Sequence, residues 1–162
     1  MASYRHLART CVMQTIFQLD MADEVCRLFP GLSKDKAIST SFKASLKRSP
    51  EDILADILKE FAPKLSEKEF AHQTLAGVLD NKKKIVKIIE KFAPEWPIAK
   101  IARVDRAILE IGVYEIVFAK DIPPIVAINE AVEIAKHFGD NNGQKFINGV
   151  LSSVMKKYHE KL

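Results

Sequence analysis

The sequence predicts an all-α protein, a compact bundle of six to seven helices. Three observations lead there. Apolar residues recur at three- and four-residue spacing through most of the chain, the pattern of helices with one buried face. No segment alternates at period two for long, and the single strand-like stretch, residues 122–128, contains Pro123-Pro124, which a sheet ladder does not tolerate. Only 6 glycines and 8% aromatic residues argue against an all-β sandwich. A chain of 162 residues, 48% of them hydrophobic, is expected to form one domain, residues 1–162, around one core.

The first helix is predicted over residues 4–20. Leu7, Ala8, Cys11, Val12, Thr15, Ile16 and Leu19 form its inward stripe. Arg5, His6 and Arg9 crowd its first turns, against the macrodipole, which favours anions there by about 0.3–1 kcal/mol. Such a cluster is either a solvated basic end or a place that meets an anion. Residues 21–29 read as a short helix with Val25, Leu28 and Phe29 inward, ended by Pro30-Gly31. Ser33 to Arg48 is polar and lysine-rich, with Phe42 and Leu46 as anchors of a weak helix or a loop.

Ser49-Pro50-Glu51-Asp52 is a strong helix start: a capping hydroxyl, Pro at the first helical position, then acids. Ile53, Leu54, Ile57, Leu58 and Phe61 follow as its buried face. Ser66 to Glu69 reads as a capping box opening the longest helix, which runs to Pro94 with Lys82-Lys83-Lys84 as a solvated basic run. Trp96-Pro97 punctuates before a short helical stretch. Residues 104–118 are apolar nearly all round, so that helix should be central. Its Asp105, Arg106, Glu110 and Glu115 are then expected at its ends or at an opening in the packing.

Two helices close the chain. The first starts after Pro123-Pro124, turns Ile128, Ala131, Val132, Ala135 and Phe138 inward, and is expected to stop at a left-handed Gly139. The second is expected to be capped by Asn142 and to bury Phe146, Ile147, Val150, Leu151 and Val154. Gly149 lies inside it at a cost of roughly 1 kcal/mol against Ala. Either a neighbouring helix packs closely there or a partner's backbone does.

The net charge of +4 permits nucleic-acid binding without demanding it. No apolar run reaches the length of a membrane span, and the N-terminus lacks a signal-peptide core, so no membrane partner is expected. Cys11 and Cys26 read as buried thiols. No glycine-rich phosphate loop, HExxH or nucleophile elbow is present, and neither cofactor nor enzymatic activity is expected. Glu69 and His72 have the Glu-x-x-His spacing of di-iron bundles, but that chemistry needs a second such pair, and Glu133 with His137 has the wrong spacing. No metal site is expected. Lys145 beside Phe146, in the first turn of a helix, suits a phosphate and a stacked base.

Three stretches carry a family resemblance: RHLARTCVMQTIFQLD (5–20), RVDRAILEIGVYEI (103–116) and AINEAVEIAKHFGDNNGQKFINGVL (127–151). Together they resemble the NusB family of bacterial RNA-binding factors in transcription antitermination. The resemblance implies binding of single-stranded boxA-type RNA by Arg5, His6, Arg9, Asn142, Gln144, Lys145 and Phe146. It implies NusE, a ribosomal protein, as partner, with Asp105 facing it. It implies action on the transcription elongation complex in support of ribosomal RNA synthesis, in the cytoplasm, by a monomer or homodimer. The front and the last signature helix are then expected side by side, as one cationic surface. The departures are Leu7 within the basic start, His6 as a part-time cation, and Glu110, which would repel phosphate. Two other readings follow: a helical protein-protein adaptor with little RNA affinity, and the N-terminal domain type of a ribosomal RNA cytosine methyltransferase.

Overall fold

A computed structural model describes residues 3–32 and 34–160. Ser33, where the polar segment begins, and the extreme ends of the predicted 1–162 domain lie outside the described residues. The described residues form eight α-helices and no strand. They are α1 (Tyr4–Leu28), α2 (Thr40–Ser45), α3 (Pro50–Phe61), α4 (Lys68–Asp80), α5 (Lys82–Phe92), α6 (Arg103–Val117), α7 (Pro124–Phe138) and α8 (Asn141–His159). A short 3-10 turn, Ile98–Lys100, precedes α6.

α6 is the axis, as its all-round apolar sequence requires. α1, α4, α5, α7 and α8 pack against it, and Ala107 to Val113 are all buried. Glycines set two of its contacts. A Cβ on Gly77 would overlap the Tyr114 ring, and one on Gly112 would lie 2.6 Å from Leu151 Cδ1. Gly149 is different: nothing lies within 4 Å of where its Cβ would be. Close packing against a neighbouring helix, the first reading of that glycine, is therefore wrong.

The acids of α6 are not where the sequence placed them. Glu110 and Glu115 are 0% and 1% exposed, in the middle of the packing. Each has recruited a cation from a neighbouring helix. Arg9 Nε on α1 donates to Glu115 Oε1 at 2.8 Å, and Lys82 Nζ at the start of α5 donates to Glu110 Oε2 at 2.9 Å. Asp20 joins the second group, accepting from Arg106 at 2.7 Å. Burial pushes both glutamate carboxyls above their ordinary range, and the neighbouring cations pull only partly back. Glu110 thus meets Lys82 rather than any approaching phosphate, and Lys82 is half-buried rather than solvated.

Other boundaries moved for local reasons. α1 runs unbroken to Leu28, because nothing from Met21 to Arg27 breaks a helix and Arg27 pairs with Glu24 at 2.7 Å. Its end overhangs the core, so Leu28 and Phe29 are each 58% exposed and Cys26 is exposed as well. Phe42, Phe61 and Phe138 also lie outward. The predicted longest helix divides at Asn81, whose side-chain amide donates to Gly77 O at 2.8 Å and competes with the helical ladder. Glu67, not Ser66, precedes α4, and its side chain makes no capping bond. Ser49 caps α3 as expected. Gly139 has φ −114° and ψ −171°, extended rather than left-handed, because Asp140 beside it must be extended to cap α8.

Two outcomes test this packing by denaturant unfolding. Gly149→Ala should stabilise the protein by about 1 kcal/mol, whereas Gly112→Ala should cost about 1–3 kcal/mol. Glu115→Ala strands Arg9 and should cost about 3–5 kcal/mol, most of it recovered when Arg9→Met is added.

Candidate nucleic-acid interface

The three basic residues at the start of α1 have different fates. Arg5 is exposed, 3.5 Å from Glu67 Oε2, with its guanidinium 4.7 Å from the centre of the Phe70 ring. His6 is half-buried and its Nδ1 lies 2.6 Å from Glu130 Oε2 on α7. Arg9 is 3% exposed, bonded to Glu115 and 3.8 Å from Glu130. Its guanidinium lies 5.0 Å from the Phe70 ring centre. Only Arg5 of the three presents its charge to a surface ligand in this conformation. Arg9 instead fixes where that end of α1 sits.

The second group lies at the start of α8. Asp140 is the cap, its Oδ1 accepting from Gly143 N at 2.6 Å. Asn142, assigned that task from sequence, is one residue inside the first turn and exposed. Lys145 is exposed, and Gln144 is half-buried with its amide 3.4 Å from Asn141 Oδ1. Phe146 is partly buried against the core and meets Trp96 at 6.1 Å between ring centres and a 60° tilt. A cavity of about 340 Å³ opens here, lined by residues including Trp96, Lys100, Asp105, Asn142 and Phe146.

Asp105 completes this second group. It is half-buried at the start of α6 and lies against two glycines: a Cβ on Gly143 would come within 2.9 Å of its carboxylate, and one on Gly139 within 3.2 Å. The absence of side chains at 139 and 143 is what leaves room for the carboxylate. Its Oδ1 is buried without a hydrogen-bond partner. Burial, then the nearby Asp140 charge, hold its carboxyl above the ordinary range.

The two groups are not one patch. α1 runs antiparallel to α6, with Arg9 at Glu115 and Asp20 at Arg106, while α8 begins beside Asp105. The ten residues from Asp105 to Glu115 amount to about 15 Å of helix. α7 links the groups along the surface, with Glu130 against His6 and Asp140 just beyond its end. The expected single cationic surface is therefore two stations with acidic residues between them. Trp96, Lys100, Asp140 and Glu130 were missed from sequence. Trp96 had been read only as punctuation before Pro97, although a tryptophan 53% exposed is itself a signal.

No helix among the described residues is long and apolar enough to cross a membrane. Comparison with known proteins agrees with the architecture. A model of the NusB family matches residues 6–156. The transcription antitermination protein NusB of Desulfitobacterium hafniense is 36% identical over 157 residues, 97% of this chain and 91% of that protein. The Bacillus subtilis protein of the same name is 33% identical over 150 residues, 93% of each chain. A structure of T. maritima NusB superposes with a TM-score of 0.75 at 30% identity, covering 99% of this chain and 96% of that one. A crystal structure of antitermination factors NusB and NusE in complex with dsRNA shares the fold, with a TM-score of 0.73 at 24% identity over 98% of this chain and all of that one.

The capping assignment has a direct check. Asp140→Ala should lower the thermal midpoint by the equivalent of about 1 kcal/mol, and Asn142→Ala should leave it within about 0.5 kcal/mol.

Proposed function

The chain belongs to the NusB family, and from that premise we propose that it binds single-stranded boxA-type RNA together with a NusE-type partner. The family consists of non-enzymatic transcription antitermination factors. In this reading the whole chain, residues 1–162, acts as one RNA-binding domain of the cytoplasm, as monomer or homodimer. It joins the transcription elongation complex and supports ribosomal RNA synthesis.

One observation carries the proposal: Trp96 and Phe146 line one cavity at the start of α8, and the exposed Lys145 stands next to Phe146 in the same helical turn. Lys145 supplies a phosphate contact, and Phe146 with Trp96 supplies stacking for a splayed base. Arg5 supplies a second phosphate contact at the other station. In this reading His6 holds α7 through Glu130, and Arg9 positions α1 rather than touching RNA. Asn142 offers its amide in the cavity lining, and Gln144 lies further along the same turn of α8.

A second reading, the protein adaptor, draws on the same end of α1. Glu67, Glu130 and Glu115 stand beside Arg5, His6 and Arg9. So countered, the station has little charge to spend on phosphate unless a partner adds its own. The methyltransferase-domain reading is not favoured, since the relatives named above are antitermination proteins matched over about nine tenths of their length.

A fluorescence-anisotropy titration with labelled boxA-like RNA, with and without NusE, separates the two readings. RNA binding predicts salt-dependent association whose log–log slope falls by about 0.7 for each of Arg5→Ala and Lys145→Ala. No association under either condition would favour the adaptor.

A further inference from the structure

We propose that the outward face of α5 is a separate phosphate-binding surface, on which Lys83, Lys87 and Lys91 hold the backbone of RNA flanking the single-stranded element. This deepens the reading of the chain as an RNA binder and rests on it, at a helix which that reading leaves idle.

The charge of the molecule is concentrated here. The 11 residues of α5 hold five lysines and one glutamate. That excess equals the net +4 of the whole chain, so the rest is neutral on balance. Lys82 is paired within the protein, with Glu110 at 2.9 Å and Asp20 at 3.4 Å. Lys83, Lys84, Lys87 and Lys91 are exposed, and none of them joins an ion pair among the described residues. Ile85, Ile88 and Ile89 are buried on the opposite side and hold the helix to the core, so the exposed lysines are not needed for packing. Lys83 and Lys84 stand at the positive end of the helix dipole, and Lys83, Lys87 and Lys91 repel one another at four-residue spacing. A polyanion laid along the face relieves both.

The row of Lys83, Lys87 and Lys91 is about 12 Å long. It starts next to the cavity. α5 ends at Phe92, and a tight turn, with Trp96 N donating to Ala93 O at 3.0 Å, carries the chain to Trp96 in the cavity wall. Lys100 lies in the same wall, and α5 packs beside α8, which carries Lys145. A strand leaving the cavity thus meets Lys91 first and Lys83 last. RNA no longer than the element ends at the cavity and leaves this face empty.

The exposed residues of α5 are the four lysines and Glu90. They include no ring to stack on a base and no amide or guanidinium fork to read one, so the face binds backbone and ignores sequence. No apolar side chain stands among them to anchor an acidic protein surface. The apolar side of the helix is buried in the core, where it is closed to a lipid surface.

The test compares boxA-like RNA with the same RNA extended by uridines at its 5′ or its 3′ end, by fluorescence anisotropy at several salt concentrations. One of the two extensions is expected to tighten binding about tenfold and to steepen the log–log salt slope by about 2, three contacts at about 0.7 each. Lys83→Gln, Lys87→Gln and Lys91→Gln together, which keep helix propensity, should remove that gain and leave the unextended RNA within about twofold. A control that removes the same charge elsewhere, Lys36→Gln, Lys47→Gln and Lys59→Gln together, should leave the gain in place.

Equal affinity for extended and unextended RNA would overturn the inference and leave the RNA reading intact. So would a gain that survives the α5 substitutions, or one lost equally in the control. Binding of polyglutamate or of phosphatidylserine vesicles, tighter than that of the extended RNA and lost with the α5 lysines, would give the face to a protein or a membrane instead. Absence of binding by every RNA would overturn both readings together.

Discussion

Two carboxylates buried on one helix constrain everything around them. Glu110 and Glu115 sit on α6 where an isolated charge would cost several kcal/mol. Each therefore fixes the position of a neighbour: Glu115 holds the first turns of α1 through Arg9, and Glu110 holds the start of α5 through Lys82. The apolar stripes bring the helices together, but stripes tolerate sliding. A bidirectional demand for one particular charge at one particular depth does not. The register of α1 against α6, and hence the place where Arg5 emerges, follows from the Arg9–Glu115 contact.

That constraint costs the surface some of its charge. A cluster of three basic residues at the head of α1 looks, in sequence, like a binding site for an anion. In the folded chain it is chiefly a clamp. Arg9 lies in the core, His6 is held by α7, and Arg5 alone faces outward, stacked over Phe70. The second station compensates with shape rather than charge. Trp96 and Phe146, Asp105 and Asp140, and the bare backbone of Gly143 together line a cavity there.

The fold was largely legible because it rests on periodicity. The stripes of α1, α3, α6, α7 and α8 each named the buried face correctly over most of their length, and the all-round apolar character of 104–118 named the central helix. What failed was local. Asn81 divides a helix by a side-chain bond that no propensity foretells, and Phe29, Phe61 and Phe138 lie outward because they sit at helix ends beyond the core. The cap of α8 was misplaced by two residues because Asp140 and Asn142 are both good caps, and Asp140 takes the bond from Gly143 N. The site was half legible. Lys145 and Phe146 announce themselves by chemistry and position. Trp96 joins them from 50 residues earlier, and Arg9 is removed by Glu115 from 106 residues later. Neither event leaves a trace in local sequence.

In the proposed function, two separate stations along α6, the start of α1 and the start of α8, engage one RNA strand together. Residue-resolved amide NMR of the protein titrated with boxA-like RNA tests this most directly. Shifts are expected at both Arg5–His6 and Asn142–Phe146, saturating at one RNA concentration, with the exposed lysines of α5 unmoved. Shifts confined to a single station, or centred on Lys83 to Lys91, would contradict it.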